Sequence, residues 1–402
     1  MATIATAAVP DHVPAELVFD FDLYHDSRMA NDLHGGMKTL HRDAPDIFYT
    51  PRHGGHWVLT RQRHMQEVLK DYERFTSSQI RIPKAEEPFV NIPLNLDPPE
   101  HTGYRQMLNK HFGPMQIKAM QDKIRGWARR LVSDVADKEA FDFADAVGTL
   151  YPVSIFMELM GLPLDRLRPY RAMVVEYFDD VTDERRMELE AAISAEMREV
   201  LEARMKEPRD DLASKFLAEE INGRKMSMDE MERLTNLLFQ AGMDTVANFA
   251  SFFFLYLGQN PGLQQRIRED RSCIPAVVEE GFRMFGVVNN GRMACKDTQL
   301  DGVEMKNGDM VVCMLPLVGL DETTNPESED FKVKRSAREY MIFSQGPHLC
   351  VGHMLARAEM RILLEEWFAQ IPAFHIAEGF TPPFRAGMVM GLAELPVVID
   401  RD

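Results

Sequence analysis

The sequence predicts a mostly α-helical protein with a small β portion, built as one domain over residues 1–402. Apolar residues make up 45% of the chain and charged residues 27%, which supplies a large core and a polar surface. Helical periodicity fills the middle of the chain, and short β-type segments occur towards both ends. Because no internal repeat, low-complexity segment or linker is present, we expect a single integrated domain.

The composition excludes several classes of protein. The formal net charge of −17 argues against binding to nucleic acid or to an anionic membrane surface. No apolar run approaches about eighteen residues, and residues 1–18 lack the pattern of a signal peptide, so we expect a cytoplasmic protein with no membrane segment. The four cysteines have no paired spacing, which argues against a disulfide framework and against a zinc site.

The N-terminal part contains the clearest β-type pattern. Segments 47–49 and 56–60 flank Gly54-Gly55 and predict a β-hairpin. Residues 62–72 have helical periodicity. Residues 77–99 are rich in proline and lack steady periodicity, so they predict a long loop. Loops of such length inside compact domains are usually functional.

Helical patterns dominate the rest of the chain, and prolines and glycines separate them. The start of one helix is marked by Ser227 and Glu230, which form a capping box. Short strand patterns follow near 292–295, 299–304 and 310–313. The predicted helices cover 115–137, 144–160, 165–180, 184–206, 210–221 and 227–258, then a helix from beyond Pro275 to Phe285 and a last helix that ends near Gln370.

One short stretch, 343–352, is expected to organise the function. It has the pattern Phe-x-x-Gly-x-x-x-Cys-x-Gly, and an amphipathic helix follows it. The pattern predicts a turn that presents the Cys350 thiol at a helix N-terminus, where N–H groups and the helix dipole lower the pKa of a thiol. Gly346 and Gly352 would let the backbone approach a flat ligand. A thiolate ligand to haem iron needs such donors; the alternative is a buried structural cysteine.

A second constellation lies in the middle of the helix predicted at 227–258, in the run Ala-Gly-Met-Asp-Thr at 241–245. A glycine inside a helix costs about 1 kcal/mol relative to alanine, so we expect Gly242 to allow the close approach of a flat ligand. Thr245 could hydrogen-bond back along the helix and open its ladder. An acid followed by an alcohol could relay protons to oxygen. The alternative is a buried helix whose single charge is Asp244.

The stretch at 343–352 resembles the haem-binding signature of the cytochrome P450 family, and the run at 241–245 resembles the oxygen-activating groove of that family. The similarity extends over about 14–395. It implies the triangular-prism P450 fold and a bound haem b, iron protoporphyrin IX. It also implies that Asp244 and Thr245 are catalytic. The cofactor-binding residues that it implies are Cys350 as the metal ligand, with His348, Arg292, Arg105, His101, Phe343, Gly346, Gly352, Ala241 and Gly242.

A third motif is structural. Glu280 and Arg283 are spaced to pair on one face of a helix. Such pairs are common, and exposed ones contribute less than about 1 kcal/mol. The pair nevertheless matches the Glu-x-x-Arg motif of the P450 family, and Arg335 resembles the third member of the same ion-pair network. We therefore assign the three residues to the stability of the core beside the haem.

Within the family the chain is most similar to the bacterial camphor hydroxylase branch. In that branch a tyrosine hydrogen-bonds the substrate ketone, and the corresponding residue here is Phe89, which has no donor. The resemblance therefore implies an apolar terpenoid-type substrate that is selected by shape, with a norisoprenoid such as ionone favoured over camphor. The substrate-binding residues that it implies are Phe89, Leu94, Leu237, Val288, Met388 and Val389. Arg81 falls where the branch has an aromatic residue.

The resemblance also implies the partners. O2 is the oxidant, and electrons come from a [2Fe-2S] ferredoxin that an NADH-dependent reductase supplies, with Arg105 on the docking side. We expect a monomer. One alternative is a haem-thiolate peroxygenase, which would use peroxide without a ferredoxin. Two others are a haem-based sensor or carrier without turnover, which is from another class, and a helical protein without haem.

Overall fold

The structure is a computed structural model, and it describes residues 6–86 and 89–401. A π-helical segment, Ala144–Thr149, leads directly into one of the α-helices. The α-helices within the described residues are α1 (Leu33–Lys38), α2 (Leu40–Asp43), α3 (Gln62–Lys70), α4 (Glu100–His111), α5 (Pro114–Ala136), α6 (Leu150–Met160), α7 (Leu167–Tyr177), α8 (Asp183–Lys206), α9 (Leu212–Ala218), α10 (Met228–Gln259), α11 (Pro261–Glu269), α12 (Ile274–Met284), α13 (Pro316–Leu320) and α14 (His353–Gln370).

The strands are short and lie mainly around the helical body. They are β1 (Ile47–Thr50), β2 (His56–Leu59), β3 (Phe75–Thr76), β4 (Ala140–Asp142), β5 (Glu220–Ile221), β6 (Arg224–Lys225), β7 (Asn290–Ala294), β8 (Thr298–Leu300), β9 (Val303–Met305), β10 (Met310–Cys313), β11 (Ala373–Ile376), β12 (Phe384–Arg385), β13 (Gly391–Leu392) and β14 (Pro396–Asp400). This combination of a helical body and a small β portion confirms the predicted fold class.

The largest sheet joins segments that are distant in sequence. Its order is β1-β2-β10-β7-β3. Strands β1 and β2 form the predicted hairpin, and Val58 of β2 pairs in parallel with Val312 of β10. A second sheet has the order β11-β14-β4, so the last strand of the chain lies beside the segment that precedes α6. The remaining pairs, β5-β6, β8-β9 and β12-β13, are two-stranded hairpins.

The structure differs from the sequence predictions at short turns. The helix predicted at 210–221 ends at Ala218, because a hairpin follows whose turn has positive φ at Asn222 and Gly223. The strand predicted at 299–304 is two strands, joined by a turn with positive φ at Asp301 and Gly302. Asn-Gly and Asp-Gly pairs are strong hairpin signals. Both differences therefore come from turn residues that the sequence displays.

The longest helix, α10, begins at the predicted capping box. The Ser227 side chain accepts a hydrogen bond from the Glu230 N–H, and the Glu230 carboxylate accepts one from the Ser227 N–H. In its middle, a Cβ atom at Gly242 would lie 2.3 Å from the ring of Phe156 on α6. Gly242 is therefore needed for the contact between the two helices. The sequence suggested the close approach of a flat ligand, and this packing contact is a second reason for a glycine at this position.

A buried ion-pair network joins α12 to the segment that leads into 343–352. Glu280 is fully buried, and its Oε1 accepts from Arg283 Nη2 at 2.8 Å and from Arg335 Nε at 2.9 Å. A fourth member, Arg338, was not predicted, and its Nε donates to Oε2 at 2.8 Å. Burial opposes the ionisation of Glu280, but the hydrogen bonds from the arginines outweigh it and hold the pKa of its carboxyl below the ordinary value.

Across the described residues, every helix lacks either the length or the apolar character that a bilayer crossing requires.

We expect Glu280→Gln to lower the free energy of unfolding by about 3–5 kcal/mol, because it leaves several buried guanidinium groups without a carboxylate. Urea unfolding of the haem-loaded protein measures the change. The matched control is Glu188→Gln, which removes the exposed partner of Arg185 at the same three-residue spacing. Its effect should stay within about 0.5 kcal/mol. Equal effects of the two substitutions would contradict a stabilising role of the network.

The same carboxylate makes stability depend on pH. The folded-state pKa of Glu280 lies below its ordinary value of 4.5, so its contribution is fully present above that pH and is lost as the pH falls through the folded pKa. The difference in unfolding free energy between the wild type and Glu280→Gln should therefore be constant from about pH 7 to about pH 5 and shrink below it. A difference that grows in acid would contradict this assignment.

We expect Gly242→Ala to destabilise the protein by about 1–3 kcal/mol, because the new methyl group overlaps the Phe156 ring. The second substitution Phe156→Leu should relieve most of this loss in the double variant. Gly126→Ala is the control, because Gly126 lies inside α5 and no described atom lies within 4 Å of its added Cβ. It should raise stability by up to about 1 kcal/mol. A neutral Gly242→Ala would show that the contact is not tight.

Candidate active site

A cavity of about 400 Å³ lies between α10 and the start of α14. Its lining includes Cys350, Thr245 and a majority of apolar side chains. The stretch 343–352 therefore meets the middle of α10 at one cavity, as the sequence predicts. Phe343, Gly352, Ala241 and Gly242 also line it.

The backbone of 343–352 holds Cys350 in a tight turn. The Cys350 N–H donates to the Phe343 carbonyl at 2.7 Å. Gly346 has a φ of 67°, and a Cβ there would lie 2.6 Å from the Leu69 carbonyl of α3. Gly346 is therefore required by its left-handed conformation and by its contact with α3, not by a ligand. The Phe343 ring packs edge-on against Phe282, with centroids 5.0 Å apart.

The Cys350 thiol is open to the cavity but lies deep within the protein. Burial raises its pKa, and this effect exceeds the lowering by the backbone N–H groups of Gly352 and His353. The structure thus differs from the expectation of a lowered pKa, because desolvation of the thiolate outweighs two donors. A metal ion bound to the sulfur reverses this balance, since coordination deprotonates a thiol outright.

Four basic side chains predicted to bind the cofactor line the same cavity: His101, Arg105, Arg292 and His348. The imidazole centroids of His101 and His348 are 4.5 Å apart. Burial lowers the pKa of all four, that of His101 to about 4, and the neighbouring cations lower the pKa of both histidines further. His348 Nε2 lies 3.0 Å from Ser77 Oγ. The cluster therefore favours an anionic ligand, which would offset the burial of its charges.

This arrangement fits a haem group. Arg292 Nη2 and His101 Nε2 are buried and have no hydrogen-bond partner among the described residues. Unpaired buried donors beside further cations suit the two carboxylates of a haem. The single thiol would suit a ligand to its iron, and the apolar walls would suit its ring.

The acid and the alcohol of α10 face different surroundings. Thr245 lines the cavity, and its hydroxyl donates back along the helix to the Ala241 carbonyl at 3.0 Å. Asp244 is fully buried outside the lining, where its carboxylate accepts from Arg385 Nη2 at 2.5 Å and from Arg171 Nη2 at 3.5 Å. The described structure therefore brings Thr245, but not Asp244, to the cavity.

Of the predicted substrate-binding residues, some line the cavity and one does not. Leu94, Leu237, Val288, Met388 and Val389 all line the cavity. Phe89 does not, which differs from the prediction. Its ring instead makes a cation–π contact with Arg233, whose Cζ is 5.6 Å from the ring centroid.

Arg81, which the sequence analysis singled out, lines the cavity and pairs with Asp183 at 2.7 Å. The sequence analysis missed other polar residues of the lining, among them Asn91 and Gln240. Glu359 of α14 also lines the cavity, and burial raises the pKa of its carboxyl well above the ordinary value. The signal in the sequence that could have identified them was a polar residue on the buried face of a helix or in the predicted loop. Their convergence depends on packing that the sequence pattern does not show.

Comparisons with known proteins agree with this geometry. Residues 149–370 match the family model described as Cytochrome P450. The chain is 33% identical over 402 residues to a protein of Sinorhizobium fredii named probable cytochrome P450 127A1, and the match covers 98% of this chain and 97% of that protein.

Solved structures give the same result in three dimensions. The crystal structure of CYP101J2 matches with a TM-score of 0.91 and 32% identity over 98% of this chain and 100% of that chain. The crystal structure of CYP101C1 matches with a TM-score of 0.88 and 30% identity over the same shares. Both neighbours belong to the camphor-type branch of the family, which is the branch that the sequence resemblance indicated. With this fold, this cysteine and these relatives, the chain belongs to the cytochrome P450 family.

Proposed function

We propose that the protein hydroxylates a small apolar terpenoid-type substrate, using O2 and electrons from a [2Fe-2S] ferredoxin. As a member of its family it is a haem b monooxygenase that uses a redox partner. The observation that carries the finer proposal is that the Cys350 thiol and the Thr245 hydroxyl line one mostly apolar cavity. Haem supplies the activation of O2 and the oxidation of C–H bonds when it is bound.

Cys350 would be the ligand to iron, and the basic cluster would hold the propionates. Arg292 and His101 offer unpartnered donors among the described residues, and Arg105 adds a half-buried positive charge. His348 keeps its contact with Ser77 and completes the cluster. These residues position the cofactor, while the apolar walls exclude water from it.

Thr245 is proposed to hold and pass protons at its Oγ1. Its hydroxyl can accept a hydrogen bond from water while it donates to the Ala241 carbonyl. Asp244 is proposed to supply these protons from outside the cavity. To take part, its carboxylate must exchange a contact with Arg385 or Arg171 for a contact with water. Such an exchange would make proton delivery depend on the contact of α10 with the β12-β13 hairpin, which contains Arg385.

The cavity wall supports an apolar substrate skeleton. Leu94, Leu237, Val288, Met388 and Val389 supply aliphatic surface without hydrogen-bond donors. Such a wall selects by shape. Because selection by shape and apolar contact replaces the ketone hydrogen bond of the camphor branch, a larger apolar norisoprenoid skeleton of the ionone type is proposed in preference to camphor.

A monomer served by the ferredoxin and an NADH-dependent reductase is the proposed working state. Leu349, directly before Cys350, is 39% exposed, although large apolar side chains are usually buried. An electron carrier that docks there would approach the sulfur side of the site. Arg105, the docking residue suggested by the sequence, is half-buried and lines the cavity, which supports a role toward the cofactor more than toward a partner.

Thr245→Ala tests the monooxygenase function. With ferredoxin, reductase and NADH, the variant should keep consuming NADH but form about tenfold less hydroxylated product per NADH, because a proton relay is lost. The control is Thr235→Ala on the same helix. Thr235 makes the same backward hydrogen bond, to the Met231 carbonyl at 2.9 Å, but does not line the cavity.

Three outcomes would contradict the proposal. Unchanged product per NADH in Thr245→Ala would remove the role of that hydroxyl. Full turnover with peroxide and none with ferredoxin would favour the peroxygenase. A haem protein that yields no product from any apolar substrate would favour the sensor.

A further inference from the structure

A chain of buried polar side chains ends at the cavity with an oxygen atom that lacks a donor. Glu190 of α8 lies at the buried end, Gln240 of α10 in the middle and Asn91 at the cavity. Gln240 Nε2 donates to Glu190, 3.2 Å from Oε1 and 3.1 Å from Oε2. Asn91 Nδ2 in turn donates to Gln240 Oε1 at 3.3 Å.

The direction of these hydrogen bonds follows from the carboxylate. Glu190 also accepts from Asn236 Nδ2 at 2.9 Å. Burial raises the pKa of Glu190, while the hydrogen bonds from Gln240 and Asn236 favour its ionised form. In that form the carboxylate only accepts, so it fixes the NH2 group of Gln240 towards itself and the Gln240 oxygen towards Asn91. The Gln240 oxygen in turn fixes the NH2 group of Asn91 towards itself. Asn91 Oδ1 is therefore the atom of this chain that is left without a partner.

Asn91 is held rigidly in this position. Its side chain is 4% exposed, its N–H donates to Asn95 Oδ1 at 3.0 Å, and its carbonyl accepts from the Asn95 N–H at 2.9 Å. Among the described residues, Oδ1 has no hydrogen-bond partner. Buried amide oxygens are nearly always paired in folded proteins. Asn91 also lines the cavity, so a ligand held there is the candidate donor.

We propose that Asn91 Oδ1 accepts a hydrogen bond from a hydroxyl group of the substrate, so that the enzyme prefers an alcohol to the corresponding ketone. The inference rests on the proposed function and specifies the oxygen group of its substrate. A ketone carries no hydrogen to donate and would leave Oδ1 unpaired beside a second acceptor. The norisoprenoid expected to bind is thus an ionol rather than an ionone.

Two other polar groups of the cavity fit this assignment less well. Asn289 Oδ1 is also buried without a described partner, but Asn289 lies three residues before Arg292, a proposed propionate ligand. Arg81 and Arg186 could attract a carboxylate. However, Arg81 already pairs with Asp183, and Arg186 donates to three backbone carbonyls. Of the polar groups in the lining, Asn91 Oδ1 is therefore assigned to the substrate.

The test compares alcohol and ketone pairs that share one skeleton. β-Ionol and β-ionone form one pair, borneol and camphor the other. The change of the ferric haem absorbance from low to high spin gives each dissociation constant, and titration calorimetry gives it without reliance on the haem. The alcohol of at least one pair should bind about five- to twentyfold more tightly, as expected for one buried hydrogen bond.

Variants assign the effect. Asn91→Leu should bring the alcohol-to-ketone ratio to about one. Asn289→Leu removes the other unpartnered acceptor and should keep the preference for the alcohol. Asn236→Leu should keep it too, because it removes an amide that donates to Glu190 but does not line the cavity. Glu190→Gln should reduce or reverse the preference for the alcohol. The new glutamine side chain can donate to Gln240, so the directions of the hydrogen bonds from Glu190 to Asn91 are no longer fixed. Glu190 is a positioning residue, and a general loss of packing would weaken both ligands equally.

The outcomes separate this inference from the proposed function. Equal binding of alcohol and ketone in both pairs would overturn it, and would indicate a water molecule on Oδ1. A preference for the ketone, or a preference that only Asn289→Leu abolishes, would overturn it too. In each case ferredoxin-driven hydroxylation of any of these compounds would leave the proposed function in place. Tighter binding of an ionone-skeleton carboxylate than of the alcohol would assign the site to the arginines instead.

Discussion

The buried carboxylate of Glu280 holds the path of the chain that carries Cys350, the proposed iron ligand. Residues 321–340 contain no helix or strand, yet they lead directly into 343–352. Arg335 and Arg338 from this connector bind Glu280, and Arg283 adds hydrogen bonds to backbone carbonyls of the connector. Removing one partner from such a buried network is unfavourable by several kcal/mol, so the connector has one path. The position of the Cys350 sulfur depends on that path.

The cavity lining carries two chemically different kinds of polar group. The basic side chains have unpartnered donors among the described residues, which suit an anionic cofactor. Asn91 has an unpartnered acceptor, which suits a neutral donor. Aliphatic side chains supply most of the remaining surface. A cofactor and a substrate can therefore share one cavity, because each meets the polar atoms that complement it.

The accuracy of the sequence predictions depended on how local each feature is. The turn at Cys350, the capping box at Ser227 and the hairpin at Gly54-Gly55 are set by neighbouring residues, and the structure contains all of them. The packing role of Gly242 was missed, because its neighbour Phe156 belongs to a different helix. Phe89 was predicted in the lining, but it lies outside the lining and its ring contacts Arg233.

The sequence alone was enough to predict the family, the helical body and the spacing of the acid and alcohol on α10, and to propose Cys350 as the iron ligand. These are properties of short runs, in which residue type and spacing fix the chemistry. Only the tertiary structure decided which side chains meet. It turned Asp244 towards Arg385 and away from the cavity, and it brought Asn91, Gln240 and Glu190 from three separate segments into one chain. The physical reason is that a buried polar atom must find its partner in space, and that partner is often far away in sequence.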